Sequence, residues 1–313
     1  IGVRVIHMPH SLPVTLTRHV DSIHLAYDTF GSQEDAPLLL IMGLGAQRIL
    51  WEDAFCKMLA NQGFWVIRFD NRDVGESAFV EDQFTPSLVH VAASGFLGAK
   101  ISIPYTLSDM ADDVISLMTW LNLPKAHIVG ASMGGMIGQI LAIEHPDRVL
   151  SLTSIMSSVG SKNLHKPEKN VLLKLLKPMP KARDKSIANM VEFWRTLHGH
   201  FYTFDFIRTQ KLVTQIYERG VNPQGVLRQF AAILAAKERT NDLKNVSLPA
   251  LVIHGKNDPM LPVSNGYATA NAIYGSRLCI YEGMGHTLPI ELWSTIIAEI
   301  TQLALNTRAS NER

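Results

Sequence analysis

The stretch that decides the fold runs from residue 126 to 136 and reads Ala-His-Ile-Val-Gly-Ala-Ser-Met-Gly-Gly-Met. Its first part is a short apolar run of the kind that forms a buried strand. Its second part places Ser132 in the pattern Gly-x-Ser-x-Gly, after the strand and before a helix that extends to about residue 145. A sharp strand-to-helix turn needs small neighbours, since larger ones would clash with the adjacent strand and helix. The pattern predicts a serine nucleophile at the end of a sheet; the alternative is an ordinary glycine-rich turn.

Strands and helices alternate on both sides of this turn. Segment 14–30 predicts a β-hairpin or meander. Apolar runs predict strands at 37–42, 64–69, 126–130, 149–156, 249–254 and 277–281. Helical spacing predicts helices at 49–61, 108–121, 264–273 and 287–305, in addition to the one after Ser132. This order predicts an α/β fold with a mostly parallel central sheet and helices on both faces.

The alternation stops at about residue 158 and resumes after residue 240. Only helices are predicted between these points, at 169–177, 186–197, 204–219 and 223–237. Because the sheet needs its later strands to complete the core, we interpret 158–240 as an inserted helical cap. The predicted organisation is therefore a core in two parts, 1–157 and 241–313, with the cap between them.

A serine hydroxyl is a poor nucleophile unless a histidine, itself held by a carboxylate, removes its proton. On a scaffold with this turn, the expected chain order is serine, acid, histidine. Asp258 directly follows a predicted strand in Gly-Lys-Asn-Asp-Pro, and His286 follows the next strand in Gly-Met-Gly-His. Since the carboxyl ends of parallel strands meet at one edge of the sheet, we expect both side chains to lie near Ser132. The spare acids nearby are Asp242 and Glu282, and neither ends a strand as cleanly.

Acyl transfer to a serine also requires donors for the oxyanion that forms on the carbonyl carbon. Two backbone N–H groups are expected, one from the residue after the serine and one from the loop after an earlier strand. In this sequence they belong to Met133 and to Leu44, the latter within Gly43-Leu44-Gly45. The alternative for that loop is a plain turn between a strand and a helix.

These motifs together resemble the α/β-hydrolase superfamily, and the resemblance covers nearly the whole chain. It is carried by the serine turn 130–134 and by the blocks 255–259 and 283–286, which occur in the family's order. The stretch 68–77, Arg-Phe-Asp-Asn-Arg-Asp-Val-Gly-Glu-Ser, is similar to a loop in the branch that contains aclacinomycin methylesterase and many bacterial carboxylesterases. In that branch the loop is mainly structural, which implies that Asp70 is not catalytic.

The resemblance implies a cofactor-free hydrolase with Ser132, His286 and Asp258 as its triad. One position departs from many relatives, which have His-Gly where this chain has Met42-Gly43. Side-chain polarity beside the oxyanion hole is then lost, whereas the backbone donor at Leu44 is kept. Epoxide hydrolases and dehalogenases of this fold are disfavoured, because the resemblance there would require aspartate in place of the serine.

Aromatic and basic residues near the predicted site suggest what it binds. The residues we predict to line the substrate pocket are Trp51, Phe193, Trp194 and Phe201. Residues of the cap among them can instead pack in its own core. Segment 162–185 carries a net excess of six positive charges around the amphipathic run 171–176. It is interpreted as a helix with its apolar side on the core and its lysines in water, or alternatively as a lid that meets lipid surfaces.

The composition excludes several classes of protein. The 313 residues are 47% hydrophobic and 18% charged, which is unlike a disordered chain. A net charge of +1 gives no reason to expect nucleic acid as a partner. No apolar run reaches the roughly 18 residues that a membrane-spanning helix needs, so we expect no stable membrane insertion, and no feature indicates an oligomeric state.

The two cysteines, Cys56 and Cys279, are far apart, and no Cys-x-x-Cys or zinc spacing exists. The spacing thus indicates no zinc site, and the triad that the resemblance implies needs no metal and no cofactor. Two lone thiols and no visible secretory signal favour a reducing, cytoplasmic location.

The sequence thus predicts a serine hydrolase that cleaves small-molecule carboxylic esters with small to medium acyl chains through an acyl-enzyme. Other reactions open to the same triad are C–C bond hydrolysis, lactone hydrolysis, cleavage after an N-terminal proline and perhydrolysis. A lipase acting at lipid surfaces is a further alternative. The least favoured one is a ligand receptor without turnover.

Overall fold

A computed structural model describes residues 14–16, 24–80, 84–97 and 99–311 of the chain. Within them, eight strands form one sheet: β1 (Val14–Leu16), β2 (Leu25–Phe30), β3 (Ala36–Ile41), β4 (Phe64–Phe69), β5 (Ala126–Ala131), β6 (Val149–Ile155), β7 (Ala250–Gly255) and β8 (Arg277–Tyr281). Their order across the sheet is β1-β2-β4-β3-β5-β6-β7-β8. The pairs from β4 to β8 are parallel, and only β1 and β2 pair antiparallel to their neighbours. The predicted mostly parallel sheet is confirmed.

The helices of the described residues are α1 (Asp53–Ala60), α2 (Leu88–Leu97), α3 (Leu107–Trp120), α4 (Met133–Glu144), α5 (Lys169–Leu175), α6 (Arg183–His198), α7 (Phe206–Glu218), α8 (Pro223–Ala235), α9 (Thr240–Leu243), α10 (Ser264–Ala272) and α11 (Ile290–Asn311). The predicted helix 49–61 is a short 3-10 turn at 48–50 followed by α1, because Glu52 between them has an extended backbone. Two helices were not predicted: α2, whose apolar residues mark no single face, and the single turn α9.

Helices cover both faces of the sheet, as predicted. Along β3, Leu38 and Leu40 pack with α1 and α11 in one layer, whereas Leu39 and Ile41 pack with α3 and α4 in the other. All four side chains are fully buried. Because successive side chains of a strand point to opposite faces, an unbroken apolar run is what a strand covered on both sides requires. Because β3 to β8 run parallel, their carboxyl ends lie at one edge of the sheet, where the candidate site is found.

Between β6 and β7 the described residues form the helices α5 to α9 and no strand. Charged side chains join this insertion to the loops of the sheet. Arg208 of α7 pairs with Glu52, and Arg228 of α8 binds Asp73 through two hydrogen bonds of 2.8 and 2.6 Å. The cap boundaries at 158 and 240 remain a prediction.

The loop after β4 is held by buried ion pairs. Asp70 is fully buried and pairs with Arg48, and also with Arg219 at the end of α7. The Ser77 hydroxyl donates to the Asp70 carbonyl oxygen. These contacts agree with the structural role that the resemblance implied for Asp70.

Candidate active site

Ser132 occupies a strained turn between β5 and α4. Its φ of +55° and ψ of −119° lie in a region that residues other than glycine rarely adopt. The surrounding backbone holds this conformation, since the Ser132 N–H donates to the Ile155 carbonyl at 2.9 Å and the Ser157 hydroxyl donates to the Ser132 carbonyl at 2.8 Å. The strand-to-helix turn expected from the sequence is therefore present.

The glycines of this turn are required by close backbone contacts. A Cβ atom added at Gly130 would overlap the carbonyl group of Gly134 in the first turn of α4. One added at Gly134 would overlap the carbonyl group of Ile41 at the end of β3. The helix therefore packs directly on two strands, which only residues without a side chain permit.

His286 lies beside this turn and contacts Ser132. Its Nε2 atom is 3.0 Å from the Ser132 Oγ atom. The loop that carries it, after β8, is tied to the end of α6 because the His286 N–H donates to the Leu197 carbonyl at 2.7 Å. The ring is buried. The insertion therefore helps to position the imidazole.

Asp258 lies on the other side of the imidazole. Its Oδ2 atom is 2.6 Å from the His286 Nδ1 atom, and its Oδ1 atom accepts hydrogen bonds from the N–H groups of Met260 and Leu261, both at 2.8 Å. With Nδ1–H donating to the carboxylate, Nε2 is free to accept the hydroxyl proton of Ser132. The structure thus brings together the three side chains that the sequence analysis selected, in the order hydroxyl, imidazole, carboxylate.

A second histidine, which the sequence analysis did not select, lies behind the carboxylate. His254 on β7 is fully buried; its Nε2 atom is 2.7 Å from the Leu261 carbonyl oxygen and 3.5 Å from Asp258 Oδ2. Its Nδ1 atom has no hydrogen-bond partner among the described residues. Burial lowers the pKa of His254, so the ring is neutral with its proton on Nε2. Its position as the penultimate residue of a strand was the available signal.

Both backbone segments expected to bind an oxyanion lie at the serine. Met133 is the first residue of α4, and Leu44 lies in the loop after β3. A Cβ atom added at Gly43 would be 3.1 Å from the Ser132 Cβ atom, so that loop packs against the nucleophile. The loop is fixed by Gln229 of α8, whose side chain accepts from the Gly45 N–H at 2.8 Å.

A cavity of about 1420 Å³ opens beside Ser132 and His286. Most of its lining side chains are apolar. Among the residues predicted to line a pocket, Trp51, Phe193 and Trp194 do so. Phe201 does not line this cavity: it is 72% exposed, and its ring lies over Gly283, where a Cβ atom would overlap it. Its placement in the predicted pocket is therefore corrected.

In the basic segment, one apolar side of α5 lies against the cavity, and a role as a lid at lipid surfaces stays a prediction. In α5, Val171 is buried, while Leu172 and Leu175 line the cavity. Leu173 points outward and is 70% exposed. Lys174 binds Glu192 of α6. The helix therefore covers the cavity with one apolar side and presents a leucine to solvent with another.

Three further findings concern the residues that the structure describes. They contain no cluster of three or more His, Cys, Asp or Glu side chains that would hold a metal ion. Of the helices they form, none has the length and apolar character needed to cross a membrane. Cys56 and Cys279 are both free thiols.

The burial of His254 predicts a dependence of stability on pH. Because its pKa is lowered by burial, the unfolded chain binds a proton more readily than the folded one. The free energy of unfolding is therefore expected to fall as the pH drops through about 6.5, with this one group contributing up to about 1.4 kcal/mol per pH unit. Urea titrations at graded pH measure this dependence. His254→Gln should make it shallower; an identical slope in wild type and variant would contradict the assignment.

Comparison with known proteins places this arrangement in a family. The chain is 28% identical to a rhodomycin D methylesterase from Streptomyces peucetius over 302 residues, covering 90% of this chain and 94% of that protein. It is 25% identical to 3-oxoadipate enol-lactonase 2 from Acinetobacter baylyi, covering 86% and 88% of the two chains. These relatives confirm the resemblance to an esterase branch that the sequence analysis gave.

Solved structures agree on the fold. A 2-hydroxy-6-oxo-6-phenylhexa-2,4-dienoate hydrolase from a Rhodococcus species superimposes with a TM-score of 0.72 at 19% identity, covering 93% of this chain and 98% of that one. The family model for the α/β hydrolase fold matches residues 36–291. With the sheet order, the serine turn and this match in agreement, the chain belongs to the α/β hydrolase fold family.

Proposed function

We propose that this protein is a serine hydrolase that cleaves carboxylic esters with small to medium acyl chains. The observation that carries the proposal is the continuous hydrogen-bonded series from Ser132 Oγ through the His286 imidazole to Asp258, at 3.0 and 2.6 Å, facing the cavity. A serine in a strained turn with a base and an orienting carboxylate is the arrangement that acyl transfer requires.

In the first half of the reaction, Ser132 Oγ attacks the ester carbonyl carbon while His286 Nε2 takes the hydroxyl proton. Asp258 holds the ring and stabilises the imidazolium that forms. The carbonyl oxygen becomes an oxyanion, which the backbone N–H groups of Met133 and Leu44 bind in this proposal. The tetrahedral intermediate then collapses: the bond to the leaving oxygen breaks, and the alcohol departs with the proton from His286.

In the second half, water replaces the alcohol. His286 takes a proton from the water as its oxygen attacks the acyl carbon of the ester on Ser132. Collapse of the second tetrahedral intermediate returns the proton to Ser132 and releases the carboxylic acid. Each group is thus restored, and the protein side chains alone carry the proton through the cycle.

The cavity supports the substrate class. Apolar side chains from the core and from the insertion line it, among them Trp51, Phe193 and Trp194. Such a lining favours the hydrocarbon part of an acyl chain, because burying it removes apolar surface from water. We propose that residues 158–240 act as a cap that encloses this part of the substrate. The relatives named above act, by their names, on a methyl ester and on an enol-lactone, and both reactions break an acyl–oxygen bond. A cytoplasmic location stays a prediction.

A second candidate function is hydrolysis at a lipid surface. It is favoured by large apolar side chains that line the cavity and are also exposed to solvent: Phe206, Ile207 and Ile290, exposed by 54%, 81% and 47%. Exposed apolar residues next to a site are a feature of proteins that bind a lipid interface. A lipase of this kind would show a sharp increase in rate once its substrate exceeds the solubility limit.

A series of p-nitrophenyl esters from acetate to palmitate tests both candidates. We expect kcat/KM to be highest for short to medium acyl chains and to fall for long ones, with no increase in rate above the solubility limit. The same measurements with a lactone, a vinylogous 1,5-diketone and a prolyl p-nitroanilide test the other reactions of a triad. Absence of ester hydrolysis together with turnover of one of those compounds would overturn the proposal.

A further inference from the structure

The chain buries five arginines among its described residues, and one of them differs from the others. The fully or nearly fully buried arginines are Arg48, Arg68, Arg72, Arg228 and Arg239. The first four each form an ion pair with at least one carboxylate. Arg239 is only 4% exposed and forms no ion pair within the part of the chain that the structure describes. Buried charges are normally paired, so this exception requires an explanation.

The acceptors that hold Arg239 are all neutral in the part of the chain that the structure describes. Its Nε–H donates to Gln139 Oε1 at 3.0 Å, and its two Nη groups donate to the carbonyl oxygens of Ser158 and Lys237 at 2.8 and 3.2 Å. A guanidinium has five N–H donors, so these bonds leave part of its capacity unused. Burial lowers the pKa of Arg239 to about 10, and no neighbouring acid opposes that shift. The group therefore still carries its charge at neutral pH.

Arg239 contributes to the lining of the cavity at the candidate site. Arg239 lines the same cavity as Ser132 and His286. One of its acceptors, Ser158, lies directly after Ser157, whose hydroxyl binds the Ser132 carbonyl. The chain that continues from this point brings further positive charge to the lining, through the exposed side chains of Lys162 and Lys166.

The acids that line the cavity do not neutralise this side of it. Glu52 pairs with Arg208, and Asp205 accepts the N–H of Arg208 as the N-cap of α7. Glu291 is exposed on the first turn of α11. The cavity is thus mostly apolar, with a nucleophile at one place and, at another, a guanidinium that no carboxylate of the described residues pairs with.

We propose that Arg239 is an anion-binding subsite, and that the preferred substrates are esters which carry a carboxylate in addition to the ester group, such as hemiesters of dicarboxylic acids. This inference rests on the proposed ester hydrolysis at Ser132 and specifies its substrate class. A carboxylate from the substrate would supply the charge partner that the other four buried arginines obtain from the protein. Guanidinium and carboxylate also match in geometry, with two parallel hydrogen bonds.

Matched esters test the subsite. The probes are p-nitrophenyl hemiesters of the unbranched dicarboxylic acids from adipic to azelaic acid, each compared with the p-nitrophenyl ester of the monocarboxylic acid of equal chain length. At the best length we expect wild type to prefer the hemiester in kcat/KM. In Arg239→Gln, kcat/KM for the hemiester divided by kcat/KM for the neutral ester should fall about 10- to 100-fold. Arg239→Lys should retain more of the ratio than Arg239→Gln, because it keeps the charge.

Lys244→Gln is the control for loss of one positive charge, since Lys244 is exposed and does not line the cavity. It should leave the ratio unchanged. Far-UV circular dichroism shows whether the Arg239 variants fold. If these variants do not fold, the wild-type measurements alone test the subsite. Equal wild-type kcat/KM for hemiester and neutral ester at every chain length would overturn it. An unchanged ratio in a folded Arg239→Gln also overturns it. Hydrolysis of neutral esters without a hemiester preference refutes only the subsite, whereas no hydrolysis of either class refutes the proposed function.

Discussion

Replacing Ser132 with alanine is expected to lower kcat/KM for a short p-nitrophenyl ester by about 10⁴- to 10⁶-fold. The hydroxyl, which lies 3.0 Å from His286 Nε2, is the atom that forms the covalent acyl-enzyme in the proposed mechanism. Alanine removes it while leaving the turn, the base and the oxyanion-binding backbone in place. Initial rates with wild type and variant at equal concentration measure the effect.

Ser116→Ala is the matched control, because Ser116 is a partly exposed serine on α3 whose hydroxyl donates to the Asp112 carbonyl. It should retain wild-type activity. A fluorophosphonate probe should label wild type and Ser116→Ala, but not Ser132→Ala. If Ser132→Ala keeps full activity, the nucleophile is assigned wrongly. Absence of labelling and turnover in wild type would favour a receptor without catalysis.

The second large effect concerns the stability of the fold. Asp73→Asn is expected to lower the free energy of unfolding by about 3–5 kcal/mol. Asp73 and Arg228 are both almost completely buried, and the Tyr105 hydroxyl also donates to this carboxylate, at 2.7 Å. Asparagine keeps the shape of the side chain but leaves the Arg228 guanidinium without a counter-charge in the interior. Chemical denaturation followed by tryptophan fluorescence measures the loss.

Two comparisons show whether the loss of stability comes from burial of the Asp73–Arg228 pair or from the loss of a charge as such. Glu282→Gln breaks an exposed ion pair with Lys256 and should change stability by less than about 1 kcal/mol. The double variant Asp73→Asn/Arg228→Met should be more stable than Asp73→Asn alone, because it removes the unpaired guanidinium. A loss below about 1 kcal/mol in the single variant would contradict this view of the pair.

Much of the fold was predictable because local patterns report burial directly. The apolar run at 37–42 indicated a strand covered on both faces, and β3 at Ala36–Ile41 is such a strand. The observed boundaries differ from the predicted ones where the backbone conformation, and not the hydrophobic pattern, ends an element. Glu52, just before α1, is an example. Helix α2 escaped prediction because its apolar residues are spread around the helix, so no periodic face marks it.

The candidate site was predictable for a different reason. The carboxyl ends of parallel strands meet at one edge, so the chain positions of Ser132, Asp258 and His286 after three such strands imply that they lie close together. No such rule applied to Phe201. An aromatic side chain on a helical insertion can face the cavity or the solvent, and only the packing of the ring over Gly283 excludes it from the cavity lining.

The sequence by itself determined the alternation of strands and helices, the strained serine turn and the order of the three triad candidates, because each depends on neighbouring residues or on which strand a residue follows. Only the tertiary structure decided which carboxylate pairs with which buried arginine. Arg228 pairs with Asp73, whereas Arg239 donates to neutral acceptors such as Gln139. The partners in these pairs are separated by long stretches of chain. Their pairing follows from where helices of the insertion pack on the sheet, and no local pattern encodes that.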